Sequence, residues 1–555
     1  MSLKILHATS LFLLLYLSSG FSETLNSSQL ADYNLRFRVL YRANASQTHP
    51  VIDPYSSFKY TKDFSDIYDA YRLYESIDKC LWPSKAFMLA HMLGVNIEFD
   101  SCKKLSDYIK ATSNTSIFIG YVSPNVRTPM SYFGHNFIVF SKDLSPFSRT
   151  VSFSAIIPDN ITFFQLMMKG ATGDLQGRFS FNPFYRLLEQ YLSVEQRNVS
   201  MYKIRFNDYE NVLFRLQLYE LYYATFNYDF FSQNCSSELL QAIMSVKPEI
   251  LNKVNKDEVL QPSEIIRMLK KNRLIEDKVI KYGSDIENLF YAEAALSKES
   301  NDKKRADIKT YILSKKSDIY FKFFKNPLNN HVNNKARYFK YNPDIEWFKQ
   351  KDVVSIPSNK IGVRYNNQRN IDYLDINYSP GLIEKNESRF SFFNETTLRF
   401  LGVSVGISGD EIYLNELDLL ELDSFNKVSN EVVVPSWHFY VGYKRNNGFF
   451  ERANSLLEFS YGYSYGGLDY TLAIQPQISF NFTQDYAALQ INATTIFWTD
   501  IGSFEFNYIP DIYNSNNVSS NNIVFKYKSR FFGVSNIGFV FSNNDYFSLE
   551  YAYRF

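Results

Sequence analysis

From about residue 357 to the end of the chain, apolar and polar positions alternate with a period of two. Leu457, Phe459, Tyr461, Tyr463 and Tyr465 interleave with Glu458, Ser460, Gly462 and Ser464. Trp437, Phe439, Val441 and Tyr443 interleave with His438, Gly442 and Lys444, and Phe504, Phe506 and Tyr508 with Glu505 and Asn507. The last run sets Phe547, Leu549, Tyr551, Tyr553 and Phe555 against Ser548, Glu550, Ala552 and Arg554. Successive side chains of a strand point to opposite faces, so each run predicts one apolar, aromatic face and one polar face. Strands of ~9–11 residues with this pattern build a closed membrane barrel, because an open edge would leave unpaired N–H and C=O groups in lipid. Roughly twelve such runs fit the segment, an even number that suits a bacterial outer-membrane barrel. A soluble β-sandwich is the competing fold, but it has no need of so many exposed Tyr and Phe faces.

Upstream the periodicity changes. Residues 23 to about 60 are polar and rich in Asn and Ser, and predict an irregular leading segment. Residues 61 to 115 carry helical spacing, with a buried helix expected over Ser84 to Leu93 and His91 as a packed or surface residue. Ser116 to Val122, Phe137 to Phe140 and Thr150 to Ile157 predict strands of an antiparallel sheet packed on helices. Gly170, Gly173 and Gly177 lack the strand-turn-helix context of a phosphate loop and predict a mobile loop near a site. Helices are expected over Tyr209 to Tyr223 and Ser236 to Val246, the latter with Leu239/Ile243 and Leu240/Met244 as i,i+4 pairs. From about 276 to 350 the chain is charged and helical, with Lys303-Lys304-Arg305, Lys315-Lys316 and an Asn-rich tract at 326–335. That predicts a solvated connector, with contact to anionic head groups as the minor alternative.

The expected organisation is therefore multidomain: a signal peptide at 1–22, an α+β domain at 23–275, a helical connector at 276–356 and an antiparallel barrel at 357–555. Lys4, the apolar run Leu11 to Leu17 and the small residues around Gly20-Phe21-Ser22 carry the signal reading. An uncleaved anchor is its competitor. With 59 basic and 58 acidic residues, nothing points to nucleic-acid binding. Asn-x-Ser/Thr triplets such as those at Asn26, Asn44 and Asn114 arise readily in an Asn-rich chain and do not make a secreted glycoprotein.

The chemistry concentrates in two short segments, Phe133-Gly134-His135-Asn136-Phe137 and Asn234-Cys235-Ser236-Ser237-Glu238. Of three cysteines in an exported chain, two can pair and one is left over. Cys80 and Cys102 are close in sequence and make a plausible disulfide, leaving Cys235 as the free thiol. Cys235 sits where a helix begins, with Asn234 or Cys235 itself as cap and Glu238 able to close a capping box. A helix N-terminus and a nearby imidazolium both lower a thiol's pKa, and the backbone N–H of Cys235 can help hold an oxyanion. His135 is the candidate base. Ser152, with Ser154 beside it, is the candidate third group that orients the imidazole. Tyr228, Gln233 and Asn234 are candidates to hold the oxyanion or the substrate. A buried helix cysteine and a packed core histidine are the structural alternatives. No HExxH or Cys-x-x-Cys occurs, so no metal and no cofactor are expected.

These segments also resemble a known family. Gly-His ahead of an apolar strand, then Asn-Cys-Ser-x-Glu-Leu, resembles the permuted, NlpC-type papain-like hydrolases, and more closely the Lnb-type N-terminal periplasmic domain of outer-membrane proteins. Cys80-Leu-Trp-Pro-Ser-Lys85 resembles that family's Cys-x-Phe-Pro-Ala-Arg element, with Trp82 and Lys85 as departures. Pro129 to His135 resembles its histidine motif, Lys169 to Phe179 its glycine loop, Glu195-Gln-Arg197 with Tyr202 the element after it, and Tyr228 to Cys235 its cysteine motif. The resemblance covers roughly 75 to 275. It implies a papain-like catalytic pair at His135 and Cys235 in the periplasm, with the family's usual C-terminal barrel. The family tends to have Asn where Ser152 aligns. Phe555 likewise resembles the C-terminal signal that the barrel-assembly machinery reads.

The leading expectation is an outer-membrane protein whose periplasmic domain cleaves or transfers an acyl or amide group of peptidoglycan peptide or lipid through an acyl-thioester. The competing one is a non-catalytic domain that binds envelope ligands, on a barrel that serves as pore or anchor.

Overall fold

The computed structural model describes residues 27–40, 64–124, 134–230, 232–253, 261–324, 357–368, 370–385, 395–428, 435–445, 453–467, 469–515, 521–530, 532, 534–543 and 545–555. The signal segment, most of the histidine motif (Pro129 to Phe133) and the Asn-rich tract at 326–335 lie outside these residues.

The N-terminal domain opens with four helices: α1 (Ser27–Leu40), α2 (Ile67–Ser76), α3 (Pro83–Leu93) and α4 (Lys103–Thr112). The first corrects the expected irregular leading segment; Phe37 and Leu40 bury against the core and hold it. Asp66 caps α2 by accepting from the Asp69 N–H at 2.9 Å. Pro83 starts α3, and Gly94 ends it in the left-handed conformation at φ 65°.

Strands β1 (Ser116–Val122), β2 (His135–Ser141) and β3 (Arg149–Ile156) follow, then α5 (Phe163–Thr172), β4 (Leu175–Pro183) and α6 (Phe184–Leu188). A π-helical turn (Glu189–Val194), β5 (Val199–Ile204), α7 (Asp208–Leu221), β6 (Thr225–Tyr228), α8 (Cys235–Val246), α9 (Pro262–Lys271) and β7 (Ile275–Tyr282) complete the domain. The seven strands form one antiparallel sheet in the order β6-β4-β3-β2-β1-β5-β7. Period-two alternation sends its side chains into two cores. Ile117, Ile119, Tyr121, Ile138, Phe140, Val151 and Phe153 pack with α3, α7 and α8. Phe118, Val122, Phe137 and Val139 pack with α6, the π turn and β5. The sheet runs past the boundary expected near 275, because β7 pairs with β5 as an edge strand.

Two long-range ties join helix to helix. The Cys80–Cys102 disulfide links the segment before α3 to the start of α4, with Cα atoms 5.3 Å apart. Lys85 of α3 is fully buried and ion-paired to the equally buried Glu220 of α7, whose carboxylate also accepts the Ser84 N–H at 2.6 Å. The departure at Lys85 is thus a core ion pair.

Helices α10 (Asp285–Lys298) and α11 (Asp302–Phe324) follow and pack on each other. The barrel follows with β8 (Lys360–Gln368), β9 (Ile371–Ser379), β10 (Glu395–Ser408), β11 (Glu411–Phe425), β12 (Ser436–Arg445) and β13 (Ala453–Gly466). Its second half is β14 (Tyr470–Asn481), β15 (Tyr486–Thr499), β16 (Gly502–Asn514), β17 (Asn521–Ser529), β18 (Ser535–Ser542) and β19 (Tyr546–Arg554). These twelve antiparallel strands close on themselves, β19 pairing with β8 and β9 with β10. In β14, Leu472, Ile474, Ile478 and Phe480 face outward while Thr471, Ala473, Gln475, Gln477 and Ser479 face the lumen. The ladder from β13 to β14 skips the pairs around Pro476, which has no N–H to donate. An outer surface of exposed Ile, Leu, Phe and Tyr on a closed barrel is the surface a lipid bilayer requires. Among the described residues no helix is long and apolar enough to cross a membrane.

Charges fill the lumen instead. Glu384, just past β9, meets Arg554 at 2.9 Å and pairs with Lys528, with Lys360 and Arg399 within 4 Å. Lys385 beside it meets Asp423 of β11 at 3.1 Å and Glu505 of β16 at 3.7 Å. Such charges belong inside a barrel, because its outer face has only lipid to solvate them.

Candidate active site

The site lies where β1 ends and β2 begins. Gly134 takes φ 95°, a left-handed conformation that favours glycine, and delivers His135 as the first residue of β2, opposite Val122. His135 shares its face with Phe137, whose ring covers Gly120; a Cβ on Gly120 would lie 2.4 Å from that ring. Asn136 points to the other face. Its amide donates to the Gly120 carbonyl at 3.2 Å, and its Oδ1 accepts from Ser236 Oγ at 3.0 Å.

That last bond docks the N-terminus of α8. Asn234 is the cap: its Oδ1 accepts the N–H groups of Ser236 at 2.8 Å and Ser237 at 3.1 Å. Ser237, rather than Glu238, closes the capping box by accepting the Asn234 N–H at 2.9 Å. Cys235 is the first residue of the helix, 5% exposed, and the free cysteine of the described chain. Its sulfur lies 3.7 Å from Ser236 Oγ. Burial raises its pKa; the backbone N–H of Asn136, Ser236, the Arg197 charge and its own N–H each lower it, without cancelling the rise.

Helix α5, the left-handed turn at Gly173 (φ 81°) and β4 replace the mobile glycine loop expected here. Gly170 lies so close to the Phe230 ring that a Cβ would fall 2.2 Å from it, and its carbonyl accepts the Phe230 N–H at 2.8 Å. The glycines let this segment hold the chain that leads into Cys235.

His135 is half-buried, and no hydrogen bond joins it to Cys235 among the described residues. Burial first, and the Arg197 guanidinium second, push its pKa down to about 3, so the imidazole is neutral at neutral pH. Ser152 sits opposite Phe137, two positions from His135 along the strand, and its hydroxyl is 3.3 Å from Ser180 Oγ. Tyr228 is buried close enough to Cys235 for the thiolate charge to raise its pKa further, after burial itself. Gln233 bonds through its backbone, donating its N–H to Asp229 at 3.0 Å and accepting the Asp229 N–H at 3.1 Å. The His91 ring lies tilted against Tyr209 of α7, with ring centroids 4.3 Å apart.

Two further residues enter the site. Tyr191, on the π turn, places its ring 5.9 Å from that of His135, and its pKa is raised chiefly by burial and in part by Cys235. Arg197 lies 5.3 Å over the Tyr191 ring, donates from Nε to the Ser123 carbonyl at 2.6 Å and from Nη1 to Glu195 at 2.6 Å. A π-helical turn is an uncommon element that recurs at functional sites.

Residues 104–272 match the Lnb N-terminal periplasmic domain family. The match spans α4 through α9, with His135 and Cys235 inside it, and starts after the Cys80 to Lys85 element. No curated protein matches the chain. Among solved structures, a mutant of the Rh. blastica porin is similar at 8% identity over 36% of this chain and 99% of its own, with a TM-score of 0.16. A bacterial polysaccharide outer membrane secretin is similar at 8% identity over 37% and 100%, TM-score 0.20. OmpT of Vibrio cholerae, an outer membrane protein, is similar at 6% over 35% and 95%, TM-score 0.17. The barrel rests on its own strand pairing, which closes twelve strands.

Proposed function

We propose that the Lnb-type domain is a cysteine hydrolase or acyltransferase of the bacterial envelope, held in the periplasm by an outer-membrane barrel. Its substrates would be amide or ester bonds of peptidoglycan peptide or lipid. The observation that carries this reading is the place of Cys235: its sulfur stands on the first turn of α8, reached by the N–H of Asn136, the residue after His135. Those N–H groups, with the dipole of α8, are suited to stabilise negative charge on sulfur or on the oxyanion that follows attack.

In this scheme neutral His135 takes the thiol proton as Cys235 Sγ attacks the acyl carbonyl. The tetrahedral oxyanion collapses to a thioester, and the leaving amine or alcohol departs with the proton from His135. Water then hydrolyses the thioester, or an acceptor amine or alcohol takes the acyl group, and the thiol is restored. The orienting role given to Ser152, and the donor roles of Tyr228, Gln233 and Asn234, belong to the same proposal. So do the cleaved signal and delivery by the barrel-assembly machinery through the aromatic C-terminus.

Incubation of the full-length protein in detergent with a thiol-reactive acyl probe tests the reading. Cys235→Ala is expected to abolish labelling and His135→Ala to slow it. Labelling of the wild type no faster than a free thiol would count against the enzyme and favour a domain that only binds.

A further inference from the structure

Arg197 is 3% exposed, and its guanidinium is only partly used. Nε is spent on the Ser123 carbonyl and Nη1 on Glu195. Nη2 is buried with no hydrogen-bond partner among the described residues. A charged donor left unsatisfied in the interior is costly, so a ligand oxygen brought within its reach would be favoured there. Ser123 follows Val122, the residue paired with His135, and the guanidinium lies over Tyr191, whose ring faces His135. The free donor therefore belongs to the end of the sheet that carries the thiol and the imidazole.

We propose that Arg197 Nη2 contacts an anionic oxygen, of a carboxylate or a phosphate, on the substrate that Cys235 attacks. The inference rests on the cysteine site described above and adds the charge of what that site accepts. Glu195 is partly exposed, so water screens its half of the ion pair, while the arginine side is enclosed. In keeping with that, Arg197 acts electrostatically on both His135 and Cys235. A guanidinium suits this task because it stays charged at any accessible pH and its N–H groups fit carboxylate and phosphate oxygens.

The test reads protection of Cys235 and needs no turnover. The full-length protein in detergent is alkylated with iodoacetamide in acetate, inorganic phosphate or chloride at equal ionic strength. Acetate or phosphate is expected to slow alkylation at least about fivefold at saturation, the low end of ordinary site coupling, while chloride does not. The stronger protector names the carboxylate or the phosphate. Arg197→Met is expected to abolish the protection and Arg197→Lys to keep part of it, each variant being checked for cooperative thermal unfolding. Equal rates in the three anions for wild type, or protection that survives in Arg197→Met, would overturn the proposal. Should Arg197→Met not fold, the wild-type comparison and Arg197→Lys decide. Protection in a protein that accepts no acyl group would support the anion contact while removing the enzyme reading.

Discussion

Cys235 combines a raised thiol pKa with a helix N-terminus, and the two pull in opposite directions. Burial wins in the resting protein, so Cys235 is held as a thiol; in the proposed reaction it would ionise only as substrate engages. Two pH signatures follow. Iodoacetamide alkylation of Cys235 should still be climbing at pH values where an ordinary cysteine has levelled off. Its acylation should not fall between pH 7 and 5, because His135 stays neutral until about pH 3. The sign for stability is the same: a histidine depressed from 6.5 contributes stability that is complete above pH 6.5 and is lost as pH falls toward 3. Cys235 and His135 stand out in the sequence because their residue types are scarce, three cysteines and six histidines in the chain. Tyr191 and Arg197 do not, since 42 tyrosines and 59 basic residues supply no contrast and no period predicts a π turn. The Glu195-Gln-Arg197 resemblance was the available signal, though it gave Arg197 no role.

At the level of elements, α8 carries Cys235 as its first residue, and Asn234 fixes where the helix starts. Asn234→Ala should cost about 1 kcal/mol in unfolding free energy through loss of the cap. It should also slow acylation of Cys235, because the first turn would fray at the nucleophile. Denaturant melts with the acylation assay check both. Helices and strands with strong periodicity were legible: α3, α7, α8 and β1 to β3 formed within a few residues of expectation. Strand β7 was not, because Ile275-Glu-Asp-Lys-Val-Ile-Lys-Tyr is charged as a sheet-edge strand often is, and that charge reads as solvated helix. Helix α1 was hidden for a related reason: its polar composition is offset by tertiary contacts of Phe37 and Leu40, which sequence propensity does not contain.

Across the whole molecule, alternation made the barrel legible: twelve strands close where about twelve runs were counted. What the pattern did not reveal is the use of the polar face. Lys385 spans from β11 to β16, and Glu384 gathers bases from β8, β10, β17 and β19, so the lumen is crossed by ion pairs at one end. The barrel should therefore show heat-modifiable migration in detergent gels yet carry little current in a planar bilayer, and the double variant Glu384→Gln, Lys385→Ala should carry more. The proposed activity requires that the sulfur of Cys235 be a base-assisted nucleophile. The acylation rate of Cys235 in the intact protein, compared with His135→Ala, measures that directly. A fall on the order of 10²-fold or more in the variant is the predicted result. Equal rates in the two proteins, neither faster than a free thiol, would contradict it.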